Sequence, residues 1–449
     1  MEKKKSSFDI ILAIILFSYF MILLDNSIIF TGTVKIAEGL HLNQRELSWI
    51  SNAYSLTFGG FLLFGGRAGD LFGRKKMFSI GLVIFGVSSL FVGLSQSALL
   101  IIVSRAVQGI GSAILAPTTL AILMDNYKGE ARTKAVAYYG ATAGIGSSIG
   151  LVIGGIFASM LSWRYGFFIN VPISIVMIIL SKRFIKERDT KAGKIDYVGT
   201  FTSVIGMVAL VYSIVGTYYR GYSLILAIIF IGAFIYQEAT TKQPIMPLRL
   251  FADRERLGAY LARFLYLGAM VSFWFITPQI MQDRLGFTPL LAGVGFFPLT
   301  IISFVIALQI AKLTKRFGNT RLLVTGIFIT LIGMILVSRF DPSYGYWIGI
   351  ALPMVLLGIG QGLTLSPLTV AGIANTNAED AGAASSVLNM FHQIGGSIGL
   401  AAVIAISSTV KNNIQSYHVA MFITSVFLFL ALIFVVFLIL PVKSRGFKK

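Results

Sequence analysis

The chain has 449 residues, of which 56% are hydrophobic and 12% charged, and its net charge is +19. An average soluble domain carries about 25% charged residues. The composition therefore excludes an ordinary soluble protein and predicts an all-α polytopic membrane protein. The chain contains no cysteine, which excludes a disulfide framework, a thiolate metal site and a cysteine nucleophile.

Apolar runs separated by polar loops predict fourteen transmembrane helices. The first run has no small-residue cleavage site, so we expect it to be kept as a helix and not removed as a signal peptide. The predicted spans cover residues 9–34, 46–66, 77–96, 99–124, 133–160, 165–183, 195–217, 221–238, 258–282, 290–312, 320–338, 345–370, 381–406 and 418–440.

Lysine and arginine positions predict the orientation, because cytoplasmic loops are enriched in these residues. With the N-terminus inside, fourteen spans place 28 of the 37 basic residues in cytoplasmic segments and 7 in outer segments. The other two, Arg105 and Arg263, fall within spans. This distribution predicts a cell-membrane protein with both termini in the cytoplasm, and it explains the positive charge without a nucleic-acid partner.

Two sequences recur in the second half of the chain. Residues 70–78 (DLFGRKKMF) resemble residues 315–323 (KRFGNTRLL), and SIGL occurs at both 148–151 and 397–400. Parallel repeats occur in transporters whose substrate sites lie near the membrane midplane between the halves. We therefore expect three parts: a six-helix bundle at 1–190, a two-helix insertion at 191–245 and a second six-helix bundle at 246–449.

A carboxylate and an arginine lie inside predicted helices of the first half. Asp25 is in the first span and Arg105 in the fourth, and at about 1.5 Å per residue both lie about 9–14 Å below the outer surface. An ionised side chain inside a membrane costs several kcal/mol unless it is paired. We therefore expect the two to interact directly, through water, or through Asn26 or Gln108. The alternative is that Arg105 extends alone toward the membrane surface.

The loop after the second span has the sequence GGRAGDLFGRKK. Its glycines allow a tight turn and close helix approach, and Asp70 can cap a helix or pair with a basic neighbour. Because the loop recurs, we expect a latch at the cytoplasmic face and not merely a basic anchor. Lys315 replaces Asp70 in the second copy, which predicts an asymmetric latch. The candidate latch residues are Gly66, Arg67, Gly69, Asp70, Gly73 and Arg74.

Glycines in the fifth span and polar residues in other spans are further candidates. Glycines four residues apart are typical of close helix packing and also let a helix bend; the candidate positions are Gly146, Gly150, Gly154 and Gly155. His392 could titrate near neutral pH, although a lone membrane histidine is nearly as often a neutral hydrogen-bonding group. The candidate cavity-lining residues are Asn26, Tyr54, Gln108, Tyr138, Gln279, Gln361, Asn389 and His392.

The sequence contains no catalytic constellation: no phosphate-binding loop, no HExxH-type metal motif and no plausible Ser/His/Asp set. We therefore expect a protein that is not an enzyme, holds no metal or other cofactor and is driven by a proton gradient. We also expect a monomer.

Together these motifs resemble the major facilitator superfamily, and within it the fourteen-span drug:proton antiporters of the QacA and NorC kind. The resemblance covers essentially the whole chain. Residues 66–76 are similar to the superfamily's loop motif, residues 105–109 (RAVQG) to its fourth-helix motif, and residues 24–28 (LDNSI) to a first-helix signature of the antiporters. The resemblance implies the superfamily fold, with two six-helix bundles plus two extra central helices.

The resemblance also implies roles for individual residues. Asp25 would be the proton-coupling carboxylate, Arg105 its regulator and Asp70 part of the gate. In one departure, Leu151 stands where the antiporters' fifth-helix motif usually has proline. In another, some members carry a second deep carboxylate in the C-terminal half. We find no such carboxylate in this sequence, because the candidates are all expected in loops: Asp283, Asp341, Glu379 and Asp380.

These observations predict a proton-coupled multidrug efflux antiporter, a protein of antibiotic resistance that exports lipophilic, often cationic compounds by alternating access. Its partners would be small-molecule drugs, protons and the lipid bilayer. One alternative is a dedicated exporter of a tetracycline-like drug, a metabolite or a monovalent cation on the same fold. A third hypothesis is a non-transporting receptor or membrane enzyme. The repeated loops and the absence of a catalytic motif argue against it.

Overall fold

The computed structural model describes residues 9–187, 196–241, 243–340, 344–377, 380–410 and 412–441. Several charged residues used above to predict orientation or the absence of a second deep carboxylate lie outside the described residues: Lys3, Lys4, Lys5, Arg188, Lys191, Lys194, Lys242, Asp341, Glu379, Lys411, Lys443, Arg445, Lys448 and Lys449.

The first half consists of long helices joined by short turns. They are α1 (Ile10–Leu40), α2 (Gln44–Phe72), α3 (Arg74–Leu94), α4 (Ala98–Asn126), α5 (Gly129–Met160), α6 (Trp163–Phe168) and α7 (Asn170–Phe184). Polar side chains cap several helix starts. For example, the Asn43 side chain accepts hydrogen bonds from the backbone N–H groups of Arg45 and Glu46, and the Glu46 carboxylate accepts one from the Asn43 backbone N–H.

The remaining helices form a hairpin and a second half. The hairpin consists of α8 (Tyr197–Val215) and α9 (Arg220–Thr240), and α8 also packs against α2 and α15. A 3₁₀ turn (Leu248–Ala252) leads into the second half, where π-helical turns (Trp347–Ala351 and Val435–Ile439) adjoin α14 and α16. The second half contains α10 (Arg254–Leu285), α11 (Pro289–Val294), α12 (Phe297–Phe317), α13 (Asn319–Arg339), α14 (Leu352–Gly372), α15 (Ala381–Ser407) and α16 (Asn413–Phe434).

In the described residues, twelve helical segments are long and apolar enough to cross a membrane, so the chain is a multi-pass membrane protein. The prediction of fourteen spans is not supported, because α2 and α5 do not qualify. Both are long, at 29 and 32 residues. However, α2 begins with charged and polar residues and ends in the glycine-rich loop motif. Within α5, the apolar stretch among the described residues is Ser148–Met160, which is shorter than a span. In α2, small and polar residues that face other helices lower the hydropathy.

The two recurring loops adopt the same tight turn. Gly73 joins α2 to α3 with φ +96°, and Gly318 joins α12 to α13 with φ +82°. Residues with a Cβ are strained in this region of backbone conformation, which explains why both loops keep glycine there. The end of the bundle that carries these two turns is called the motif end below, and the opposite end is called the far end.

The two halves are sealed against each other at the far end. A Cβ built at Gly155 of α5 would lie 2.7 Å from the Leu290 Cα of α11, and the Ser159 hydroxyl accepts a hydrogen bond from the Leu290 backbone N–H at 2.9 Å. Gln44 Nε2 of α2 donates to Gln279 Oε1 of α10 at 2.8 Å. Toward the motif end, no described atom outside the local backbone lies within 4 Å of a Cβ built at Gly140. The contact of α5 with the second half is therefore tight toward its far end and open at Gly140.

Candidate functional site

Asp25 lies near the middle of α1 and is fully buried, although α1 is otherwise largely apolar. Its direct partner is Arg105 of α4, whose Nη1 donates a hydrogen bond to Asp25 Oδ2 within an ion pair. The Arg105 side chain also donates to the Ile50 carbonyl oxygen at 3.2 Å and to Gln108 Oε1 at 2.6 Å. Of the alternatives open in the sequence, the structure shows direct contact, and Arg105 does not extend alone toward the membrane surface.

Two amides complete the surroundings of the Asp25 carboxylate. Gln108 Nε2 and Asn170 Nδ2 donate to Asp25 Oδ1 at 2.7 Å and 2.8 Å, and both also donate to the Ser89 hydroxyl. A buried ion pair is tolerated when its remaining hydrogen-bonding positions are also satisfied. Both oxygens of Asp25 accept hydrogen bonds here, and the carboxylate has no contact with solvent.

Tyr54 of α2 connects this cluster to Asn26. The Arg105 guanidinium lies 4.2 Å from the centre of the Tyr54 ring, a cation–π contact. The Tyr54 hydroxyl shares a hydrogen bond with the Ser112 hydroxyl at 2.7 Å and accepts one from Asn26 Nδ2 at 3.3 Å. Because Tyr54 is 0% exposed, it acts here as part of the ion-pair cluster and not as an open cavity wall.

The loop at the motif end is organised by Arg74. Its guanidinium pairs with Asp70 at 2.8 Å and with Asp125 at 2.7 Å, and it donates to the Ala121 carbonyl oxygen at 3.2 Å. These contacts tie the turn between α2 and α3 to the end of α4. The sequence indicated Asp70 but missed Asp125, although Asp125 directly follows the fourth predicted span.

The other candidate latch residues have distinct neighbours. Arg67 donates to Gln243 Oε1, beyond the hairpin, at 3.0 Å. Gly69 lies against Thr118 of α4, while Gly66 has more space, with Pro117 at 3.8 Å from a built Cβ. In the second copy, Asn319 stands in place of Arg74 and donates to the Pro367 carbonyl oxygen at 2.9 Å.

The glycines of α5 form the surface on which α1 rests. A Cβ built at Gly150 would lie 2.6 Å from the Ser27 Cβ, and one built at Gly154 would lie 2.7 Å from the Ile28 Cα. Gly146 faces Leu23 in the same way. Three glycines thus bring α5 close to the helix that carries Asp25, whereas Gly155 faces the second half.

The candidate cavity residues of the second half are separated in the structure. Gln279 is 5% exposed and takes part in the far-end seal through Gln44, so it does not line an open cavity. Asn389 is exposed, as is Tyr138 of the first half. Gln361 is partly buried, with its Oε1 atom buried and without a hydrogen-bond partner.

His392 has an unexpected partner. Arg263 of α10, only 7% exposed, donates to His392 Nδ1 through Nε at 3.2 Å, and its Nη2 lies 2.9 Å from the same ring nitrogen. The sequence placed Arg263 within a span without giving it a role. A charged residue inside a span was the signal that could have identified it.

The carboxylates of the second half that the structure describes lie at or next to helix ends: Asp253, Glu255, Asp283 and Asp380. Asp380 precedes α15 and hydrogen-bonds to Arg249 at 2.8 Å, a contact that lowers the pKa of the Asp380 carboxyl below its ordinary value. Asp283 is exposed near the end of α10. None of these four carboxylates lies deep within a helix.

The sequence resembles known transporters over most of its length. It is 35% identical to the uncharacterized MFS-type transporter EfpA of Mycobacterium tuberculosis, over 85% of this chain and 74% of that protein. It is 31% identical to the puromycin resistance protein pur8 of Streptomyces alboniger, over 88% of this chain and 81% of that protein. It is 29% identical to the multidrug efflux pump LfrA of Mycolicibacterium smegmatis, over 87% of this chain and 79% of that protein.

The fold is also that of a known class. A crystal structure of a peptide transporter, POT, superposes with a TM-score of 0.74 and 14% identity, covering 97% of this chain and 94% of that chain. At this identity the likeness concerns the fold alone. The model of the Major Facilitator Superfamily matches residues 15–400, and with relatives at 31–35% identity the chain belongs to the major facilitator superfamily.

Proposed function

We propose that the protein is a proton-coupled efflux antiporter for lipophilic, often cationic compounds. The observation that carries the proposal is the buried cluster in which Asp25 accepts hydrogen bonds from Arg105, Gln108 and Asn170. A titratable group inside a membrane transporter is a candidate proton relay. The names of the relatives pur8 and LfrA support export of drugs.

In the proposed cycle, a proton reaching Asp25 removes the charge that holds Arg105. Arg105 then keeps its contacts with Gln108 and the Ile50 carbonyl, while α1 is freed from α4. The halves rock, and the proton leaves on the other side. A gradient supplies about 1.4 kcal/mol per proton for each pH unit, and about 2.3 kcal/mol per charge for each 100 mV of potential.

We further propose that α2 and α5 also cross the membrane, which gives fourteen spans and the fourteen-span antiporter architecture. At about 1.5 Å per residue they are about 44 Å and 48 Å long, enough to cross a bilayer. They pack extensively against α4 and α1, which meet the span criterion themselves. With both termini in the cytoplasm, the motif end is cytoplasmic, and the far-end seal closes the outer side.

The experiment is substrate-induced proton release from purified protein in weakly buffered solution, followed by drug transport in proteoliposomes with an imposed pH gradient. Asp25→Asn should abolish both proton release and gradient-driven transport. Asp283→Asn is the matched control, since it removes an exposed carboxylate and should leave both unchanged. Gradient-driven efflux at the wild-type rate by Asp25→Asn would refute the mechanism.

The alternative function is a dedicated exporter of one substrate class on the same fold. A panel of chemically unrelated drugs, a tetracycline and monovalent cations tested in inverted vesicles separates the two proposals. Transport of several unrelated compounds supports the multidrug pump, and transport of one class supports the dedicated exporter.

A further inference from the structure

Arg263 is a buried cation whose described neighbours do not neutralise it. Its guanidinium contacts His392 Nδ1 and, at 3.4 Å, the Leu365 carbonyl oxygen. Among the residues that the structure describes, no carboxylate forms an ion pair or hydrogen bond with Arg263. In contrast, Arg105 in the first half has Asp25 as its counter-ion.

The contact with His392 requires a neutral ring. Arginine is only a donor and stays charged, so the Nδ1 atom that faces it must be the unprotonated acceptor. A neutral imidazole orients the guanidinium without cancelling its charge. A buried cation without a counter-ion is costly inside a membrane protein, and such residues mark substrate or ion pathways.

Arg263 belongs to α10, which packs against α1 of the first half. Tyr19 lies on α1, in the first half. Tyr19 in turn stacks on Tyr139 of α5, with ring centres 4.1 Å apart. A buried cation on α10 and a pair of stacked aromatic rings on the neighbouring α1 and on α5 are two features that suit a planar organic anion.

Gln361 contributes an additional polar group next to this position. It lies one helical turn before Leu365 in α14, so the two residues share a face of the helix. The Oε1 atom of Gln361 is buried without a hydrogen-bond partner. The amide is therefore available to a bound molecule, and a ligand with both a carboxylate and a hydrogen-bond donor would satisfy Arg263 and Gln361 together.

We propose that Arg263, oriented by His392, binds the carboxylate of transported compounds, so that the substrates include zwitterionic and anionic organic molecules besides cations. This inference rests on the proposed export function and specifies its substrate chemistry. Arg105 cannot serve the same purpose in this state, because its guanidinium is already occupied by Asp25 and Gln108. The planar fork of an arginine suits bidentate recognition of a carboxylate.

The test uses two fluorescent dyes that differ in one group. Rhodamine 110 carries a free carboxylate, and rhodamine 123 is its methyl ester. Their binding to the purified full-length protein is measured by fluorescence polarisation in phosphatidylcholine nanodiscs, which contain no lipid with a net negative charge. Wild type is compared with Arg263→Gln, Arg263→Lys and His392→Gln, and thermal unfolding is followed in parallel.

We expect Arg263→Gln to weaken binding of rhodamine 110 by about tenfold or more, as for loss of a charge-assisted hydrogen bond, and to change binding of rhodamine 123 by less than about twofold. Arg263→Lys keeps the charge and should retain part of the preference, which also separates a binding effect from misfolding. His392→Gln should have an intermediate effect on rhodamine 110 alone.

Equal losses for both dyes in Arg263→Gln would overturn the inference, since they would indicate general damage to the cavity. The inference would also be overturned if the wild-type protein bound rhodamine 110 no more tightly than Arg263→Gln does. Neither result bears on the proton coupling, because that is judged by proton release in Asp25→Asn. Conversely, if Asp25→Asn did not block transport, the proposed proton coupling would fail. The dye comparison would still test carboxylate binding by Arg263, because it measures binding and not transport.

Discussion

Arg105 of α4 donates a hydrogen bond to the carboxylate of Asp25 in α1, with 1% and 0% of the two residues exposed. The pair joins two helices of the first half at a depth where neither charge can reach water. Removing one member of such a buried pair leaves the other without compensation, which costs more than removing both. This asymmetry is the basis of the first prediction.

Arg105→Gln should destabilise the protein by about 3–5 kcal/mol, because Asp25 is left as a buried charge. Asp25→Asn combined with Arg105→Gln should be more stable than Arg105→Gln alone. Apparent melting temperatures of wild type, both single variants and the double variant in detergent at neutral pH provide the measurement. Additive losses would show that the two side chains do not depend on each other.

Glycine replacements in α5 should separate packing within one half from closure between the halves. Gly154→Ala places a Cβ 2.7 Å from the Ile28 Cα of the same half, so it should lower stability by about 1–3 kcal/mol. Gly155→Ala meets the Leu290 Cα of the other half at 2.7 Å. It should therefore hinder the far-end seal and reduce transport more than stability.

Gly140→Ala is the matched control for both α5 variants, since no described atom outside the local backbone lies within 4 Å of the added Cβ. Alanine is a better helix former than glycine by about 1 kcal/mol, so this variant should melt at the same temperature or higher. Melting temperatures are compared with transport rates in proteoliposomes. Equal behaviour of Gly154→Ala and Gly140→Ala would contradict the described packing of α5 on α1.

The latch should affect the transport rate more than the stability. Arg74 is 25% exposed, and Asp70 and Asp125 are exposed to a similar degree, so each ion pair contributes at most about 1 kcal/mol. Arg74→Gln should leave the melting temperature nearly unchanged but slow transport, because it unties the turn from α4. Asp125→Asn should act in the same direction.

Lys76→Gln serves as the control for the latch, because it removes a positive charge at an exposed position of the same loop. It should transport at the wild-type rate. If Arg74→Gln and Lys76→Gln slowed transport equally, the effect would arise from the net charge of the loop and not from the ion pairs of Arg74.

The proposed crossing of α2 and α5 can be tested by labelling, since the chain has no cysteine of its own. Single cysteines are introduced at exposed positions on either side of each helix: Glu38 and Lys76 for α2, and Lys128 and Leu161 for α5. A membrane-impermeant maleimide applied to intact cells should label the Glu38→Cys and Leu161→Cys variants. The Lys76→Cys and Lys128→Cys variants should react only after permeabilisation, and labelling of both flanks from one side would show that the helix does not cross.

The sequence alone was sufficient for the membrane class and the superfamily fold, because long apolar helices are determined by local composition. It also identified Asp25 and Arg105 as candidate partners, since two opposite charges inside apolar helices have few other ways to be stabilised. The recurring glycine turn was visible for a similar reason: positive φ angles at Gly73 and Gly318 require glycine whatever the surroundings.

Only the tertiary structure decided which polar groups meet. Composition alone did not settle the number of spans, because α2 carries small and polar residues whose effect depends on the helices that they face. The contact of Asp125 with Arg74, that of Asn170 with Asp25 and the pairing of Arg263 with His392 were missed for the same physical reason. Each contact joins residues on different helices, distant in sequence, and is set by the rotation and depth at which those helices pack.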